Sequence, residues 1–225
     1  MLSVICPIYN EAKYIDVCVQ SILLQDYPKQ QLEVLFVDGM SKDGTRDIVN
    51  NYSKQYPFIR LLNNEKRIVP VAMNIGIKAS IGDIVMRLDA HAQYPPNYFS
   101  VLVKELVRLR ADNVGVACKT DVLNKTSKTL AIREVLSNRF GVGNSTFRLG
   151  VDKVIEVDTV PFGCWKKDVF NKYGFYDERL IRNQDIELNK RIVRGGGHIF
   201  IVPDTYCTYL LSLIHISEPT RLGMI

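Results

Sequence analysis

Apolar and polar positions change period several times along the chain, and each change marks an element. Residues 2–10, LSVICPIYN, are nearly all apolar up to a Pro-Tyr-Asn turn, which reads as a strand buried on both faces. From Glu11 to Leu24 the period becomes helical, with Ile15, Val19, Ile22 and Leu23 on one face. LEVLFVD (32–38) predicts a second strand, Ser41 to Thr45 a turn, and the following residues a helix through about Tyr52. FIRLLNN (58–64) predicts a third strand, and Pro70 to Ala79 a helix with proline in its first turn. Asp83 to Leu88 reads as a fourth strand, 96–110 as a helix and VGVACK (114–119) as a fifth strand. Strand and helix in alternation imply a mainly parallel sheet with helices on both faces.

After residue 120 the pattern becomes mixed. Lys128 to Arg139 is helical in period, 140–150 is a Gly-rich loop and 154–167 is extended. A short helix over 168–172, a longer one over 184–193, a Gly195-Gly196-Gly197 stop and a last strand HIFIV (198–202) complete the expected elements. No internal repeat or low-complexity tract interrupts them. The expectation is one α/β domain over 1–210, its half to about residue 120 differing in character from 121–210.

Composition narrows the picture modestly. The 225 residues are 47% hydrophobic and 24% charged, ordinary values for a soluble domain. A net charge of +5 suits an anionic substrate or a negatively charged membrane surface. Lysines and arginines are scattered, so nothing points to nucleic acid. Five widely spaced cysteines without a Cys-x-x-Cys pair argue against zinc and disulfide frameworks and for reduced thiols in a cytoplasmic protein. No secretory leader and no apolar run of membrane-spanning length is visible. Residues 211–221, LSLIHISEPTR, resemble the translation of a transposase sequencing adapter. The segment 211–225 is therefore expected to be artefactual, the natural sequence to continue differently past about residue 210, and His215 to carry no function.

The chemistry gathers at predicted strand ends. In DIVMRLDAH (83–91) an apolar strand delivers Asp89 and His91 at its C-terminal edge. Residues i and i+2 of an extended segment point the same way. The pair is thus suited to one divalent cation, and the cation to a diphosphate. Ligands of open α/β sheets bind at that edge. The first strand ends in Pro7-Ile8-Tyr9-Asn10-Glu11 and the second at Asp38, an acid placed to accept hydrogen bonds from a base or ribose. No GxGxxG follows the first strand, which disfavours a dehydrogenase. Asp43-Gly44-Thr45 reads as a turn with a helix cap. Asp185 falls in the first turn of a predicted helix, where a carboxylate is favoured; Glu187 beside it reads as a solvated or capping acid. Trp165 is suited to stack on a sugar or to fill core. Gly163 would let a substrate approach the backbone.

PIYNE, VDGMSKDGT, MNIG and LDAH, in that order and spacing, resemble the family 2 glycosyltransferases of GT-A fold, a Rossmann-like α/β single domain. Arg67 to Pro70, Asp-Ala-His-Ala (89–92), Gly-Val-Gly-Asn-Ser (141–145) and Asp-Thr-Val-Pro-Phe-Gly (158–163) resemble the succinoglycan-type exopolysaccharide enzymes more closely. The resemblance implies a nucleotide-sugar half (about 1–120) and an acceptor half (about 121–210). It implies a nucleotide-diphosphate sugar donor of the UDP-sugar type and a glycan or lipid-linked acceptor at the inner face of the cytoplasmic membrane. Pro7, Tyr9 and Glu11 would line the base pocket, Asp38 contact uracil or ribose, and Arg67 and Asn74 serve the diphosphate. Asp89 and His91 match the family's Asp-x-Asp metal motif with histidine in place of the second acid, which favours Mn²⁺ over Mg²⁺. Gly39 stands where the usual Asp-Asp-Gly-Ser has its second acid. RNQDIELNKR (182–191) matches the acceptor-side acidic motif, and Asp185 would be the base of an inverting transfer. Arg139, Asn144, Ser145 and Arg148 would face an acceptor phosphate. Two other classes remain open: a non-catalytic nucleotide-sugar-binding module, and a sugar nucleotidyltransferase, disfavoured by the lack of a Gly-rich basic loop after the first strand.

Overall fold

The structure, a computed structural model, describes residues 1–122, 126–137 and 150–211. Arg139, Asn144, Ser145, Arg148 and the segment beyond Leu211 lie outside the described residues. The strands are β1 (Leu2–Ile8), β2 (Leu32–Asp38), β3 (Ile59–Asn63), β4 (Ile84–Arg87), β5 (Ala92–Gln93), β6 (Asn113–Val122), β7 (Ile155–Glu156), β8 (Cys164–Lys166) and β9 (Ile199–Leu211). The helices are α1 (Ile15–Leu23), α2 (Thr45–Gln55), α3 (Val69–Ala79), α4 (Tyr98–Arg108), α5 (Ser127–Ser137), α6 (Asp168–Tyr173) and α7 (Gln184–Arg194). One sheet runs β3-β2-β1-β4-β8-β6-β9-β5, with β7 on β9.

The expected parallel order holds across β3-β2-β1-β4. From β4 the sheet turns mixed: β8 is antiparallel to both β4 and β6, and β9 is parallel to β6. Two apolar cores cover the two faces, following the strand alternation. Val4, Cys6 and Ile8 of β1 pack with Ile15, Val19 and Ile22 of α1 and with Val49 of α2. Ile5 of β1 packs on the other face with Met73 and Ile77 of α3. The five cysteines are free and buried. Among the described residues, no helix is long and apolar enough to cross a membrane.

Two element ends differ from expectation for physical reasons. Helix α1 starts at Ile15, not Glu11, because the 9–12 segment is bonded elsewhere. The Glu11 amide donates to Thr45 Oγ1 (2.8 Å) and the Ala12 amide to Asp43 Oδ2 (3.0 Å). The last strand does not stop at Val202. Pro203 removes a ladder donor, and β9 passes it by a bulge: Val116 pairs Val202, but Ala117 pairs Tyr206. The strand then runs on to Leu211 and brings Tyr209 alongside β5.

Trp165 settles as core, 2% exposed and packed near Phe170 (5.7 Å) and Tyr176 (6.5 Å). Its indole lies against Gly163, whose φ is +33°. A Cβ at 163 would come within 2.1 Å of Trp165 Cζ2 and 2.7 Å of Asn113 Oδ1. Glycine is therefore required by packing rather than by substrate approach. Gly163→Ala is expected to cost at least about 2 kcal/mol, measured by denaturant unfolding, since it overpacks a closed site at a left-handed φ. An unchanged midpoint would contradict this packing.

Candidate active site at the sheet edge

Parallel β1, β2 and β4 end on the same side, so the loops after Ile8, Asp38 and Arg87 converge. The first two are laced together. The Asn10 amide donates to Ser41 Oγ (2.8 Å), and Asn10, at φ 54°, accepts from the Lys42 amide (3.0 Å). Asp43 accepts from the Thr45 amide and hydroxyl (3.1 and 2.6 Å) and from Ala12. Burial pushes the Asp43 carboxyl up, but these bonds outweigh it and leave the pKa below its ordinary 3.8. Tyr9, 41% exposed, lies over Gly39. A Cβ at 39 would sit 3.0 Å from the Tyr9 ring, so a side chain there would require the ring to shift.

Asp38 is fully buried and bonded inward. It accepts from the Ser41 amide (3.0 Å), the Ser41 hydroxyl and Arg46 Nη1 (2.5 Å). Arg46 also donates to Asn63 Oδ1 (2.9 Å), which ties β2, β3 and α2 together at the edge. Pro7 is half-buried at the end of β1. Arg67, at φ 59°, is exposed before α3, with no ion pair to any described residue. Asn74 is buried, and its amide serves the 176–178 segment: Nδ2 donates to the Tyr176 carbonyl (2.9 Å) and to the Glu178 carboxylate (3.2 Å), while Oδ1 accepts from the Tyr176 amide (3.0 Å).

At β4 the structure assembles a charged cluster. Arg87, with a 4% exposed side chain, donates from Nε and Nη2 to Asp89 (3.0 and 3.4 Å). Its Nη1 donates to both oxygens of Asp185 (2.7 and 2.6 Å). Burial alone would lower the Arg87 pKa, but Asp185 and Asp89 raise it further and hold the guanidinium charged. Phe162 lies 5.7 Å beneath that guanidinium. Asp89 and Asp185, from opposite halves of the chain, thus share one cation.

His91 sits between Glu11 and Tyr209, with Nδ1 3.1 Å from Glu11 Oε1 and Nε2 2.8 Å from the Tyr209 hydroxyl. A carboxylate only accepts, so Glu11 places the proton on Nδ1 and, in the neutral ring, leaves Nε2 as an acceptor. Burial pushes the His91 pKa down, but Glu11 and Asp89 outweigh it, leaving the pKa above the ordinary 6.5. Among the described residues no three of His, Cys, Asp and Glu form a closed metal cage. Glu187 pairs with Arg191 one helical turn on (2.6 Å) and stays on the helix surface.

A family model described as "Glycosyl transferase family 2" matches residues 3–174. The chain belongs to glycosyl transferase family 2. It is 29% identical over 213 residues to a dolichyl N-acetyl-alpha-D-glucosaminyl phosphate 3-beta-D-2,3-diacetamido-2,3-dideoxy-beta-D-glucuronosyltransferase of Methanococcus voltae, covering 92% of this chain and 66% of that one. It is 29% identical over 218 residues to the succinoglycan biosynthesis protein ExoA of Rhizobium meliloti, covering 92% of this chain and 62% of the relative. The chain thus spans under two thirds of the length of these relatives. Its fold matches S. aureus TarS 1-349 in complex with UDP-GlcNAc at a TM-score of 0.72 and 20% identity, over 96% of this chain and 60% of that one. It matches GalNAc-T7 with UDP, GalNAc and Mn²⁺ at 0.72 and 18%, over 94% and 44%. The fold is the GT-A fold of glycosyltransferases.

Within this family 2 chain, sequence reasoning missed Arg87, Arg46 and Tyr209. Arg87 and Arg46 lie inside a strand and a helix, where a lone arginine reads as a solvated side chain. Tyr209 follows a proline that ends the strand by propensity. For Asp43→Asn the expected loss is under about 1 kcal/mol above pH 4, because the bonds to Thr45 and Ala12 lose their charge. The depressed carboxyl contributes stability above its unfolded pKa and loses it as pH falls through the folded one. The gap between wild type and variant should therefore close as melts are taken from pH 5 downward. A gap independent of pH would contradict the assignment.

Proposed function

We propose that this chain is the catalytic domain of an inverting, metal-dependent hexosyltransferase. It takes a nucleotide-diphosphate sugar, most consistent with a UDP-sugar, and passes the hexose to a glycan or lipid-linked acceptor in bacterial exopolysaccharide assembly, at the inner face of the cytoplasmic membrane. The observation that carries this reading is the meeting of Asp89 and Asp185 on Arg87. It supports a reading in which Asp89 serves the diphosphate and Asp185 the acceptor, at the edge where nucleotide-binding α/β folds take their ligands. TarS binding UDP-GlcNAc and a Pyrobaculum calidifontis mannosyltransferase binding GDP-Man and Mn²⁺ support the donor class and the cation. ExoA supports the pathway, and the dolichyl-phosphate enzyme the lipid-linked acceptor.

The donor set fits a divalent cation. The Glu11 carboxylate behind His91 Nδ1 is the outer-shell partner that orients a ligating imidazole, leaving Nε2 for the ion once the Tyr209 hydroxyl yields it. Asp89 and His91 would hold the ion and the diphosphate would complete its shell, as ions bound through few protein groups do. Bound there, the ion supplies charge stabilisation for the departing diphosphate. Tyr9, Pro7 and the laced loops frame the base pocket, and Asp38 holds that frame through Ser41 and Arg46. Exposed Arg67 is free to meet the diphosphate, and Asn74 fixes the 176–178 segment against α3. Asp185 Oδ takes the acceptor hydroxyl proton as the oxygen attacks C1. Each of its oxygens keeps a lone pair beyond the one given to Arg87.

Asp185→Asn should lower sugar transfer by about 1,000-fold or more while UDP affinity by calorimetry stays near wild type. Near-wild-type transfer would remove Asp185 as base. In EDTA, turnover should vanish and return with Mn²⁺. Full turnover in chelator would refute the cation, and UDP binding without transfer or donor hydrolysis would indicate a non-catalytic binding module.

A further inference from the structure

Arg87 is needed by neither motif, yet it is the residue on which both acids converge. We infer that Arg87 is the positioning residue for the transfer, acting through Asp185; this rests on the reading of Asp185 as base. Val85, Arg87 and Asp89 share one side of the β4 segment, by alternation. Val85 packs in the apolar core, so the strand carries a full charge one step from that core. Such a charge is costly unless paired, and here its planar fork is divided between two carboxylates. The division is unequal. The contacts to Asp185 are 2.6 and 2.7 Å, those to Asp89 3.0 and 3.4 Å. Asp185 has the shorter contacts, both from the single nitrogen Nη1, while the two-nitrogen fork of Nε and Nη2 is turned to Asp89. The Arg87 amide, bonded to Gly163 O (3.1 Å), and the Phe162 ring beneath the guanidinium hold Arg87 itself in place.

Without the guanidinium, two carboxylates would face one another across a half-buried site, and Asp185 would keep only the neutral Tyr176 hydroxyl beside it in place of a fixed cation. The larger consequence falls on the proton-transfer step, because the shorter contacts are those to Asp185. A lysine offers one ammonium, which keeps a charge for Asp185 as Nη1 does but loses the fork that Nε and Nη2 present to Asp89.

The test uses the full chain as wild type, Arg87→Met, Arg87→Lys, Asp185→Asn and the Arg87→Met/Asp185→Asn double variant. Turnover of UDP-sugar, donor KM and thermal melts are measured for each. For Arg87→Met the expected result is kcat down by at least about 100-fold with donor KM within about 3-fold, and less than about 3-fold further loss when Asp185 is already Asn. Arg87→Lys should recover about a tenth of wild-type kcat. If Arg87→Met melts early, Arg87→Lys carries the same test through its own non-additivity with Asp185→Asn. A wild-type kcat for Arg87→Met, an equal loss in both backgrounds, or a loss confined to donor KM overturns the inference. A wild type that turns over no UDP-sugar, or Asp185→Asn at full rate, overturns the transferase reading or its base, and the inference falls with it. An active wild type with a crippled Asp185→Asn and an unaffected Arg87→Met overturns the role of Arg87 alone.

Discussion

A buried guanidinium cannot stand alone, and the two halves of this chain meet on one. Arg87 lies on β4, the strand where the sheet passes from its parallel part to its mixed part. Its partners are Asp89, two residues on, and Asp185, at the start of a helix almost one hundred residues later. Removing either acid leaves the charge half-compensated in a nearly dry environment, which costs more than a surface pair ever returns. The first turn of α7 is thereby fixed against the end of β4, so the placement of Asp185 beside Asp89 is a property of the fold.

The loops that follow β1 and β2 depend on a second constraint. Three parallel strands end together, and their exposed amides need partners. Ser41, Asp43 and Thr45 supply them to Asn10, Glu11 and Ala12 across the gap between the first two loops. That lacing delays the start of α1 and holds Glu11 where it reaches His91. His91 is anchored from the far end of the chain as well, by Tyr209 on β9. The edge is therefore closed by the first, second, fourth and last strands together.

Much of this was legible in the residues. The alternation of strand and helix over the first 120 residues gave the parallel part of the sheet, and the apolar run ending in Asp89-Ala90-His91 gave the edge at which these side chains gather. Several side chains could not be read that way. Arg87 interrupts a strand pattern that periodicity assigns to core, and only the approach of α7 supplies a reason for its charge. Pro203 stops a strand by local propensity, while the bulge that carries β9 past it is set by the pairing with β6. The polar atoms of Asp38 bond to Ser41 and Arg46, and those of Asn74 to the Tyr176 backbone and the Glu178 carboxylate. Motif order locates such residues, but it does not say which of their lone pairs face inward.

The central claim is that one site, with Asp89 and His91 on one side and Asp185 on the other, holds the donor. A crystal structure of the chain soaked with UDP and Mn²⁺ tests it most directly. The account predicts the diphosphate and ion against Asp89 and His91 Nε2, with Tyr209 displaced from that nitrogen. It also predicts the base beside Tyr9 and the Arg87 bridge to Asp185 intact. A nucleotide bound elsewhere, or an ion that leaves both Asp89 and His91 untouched, would contradict it.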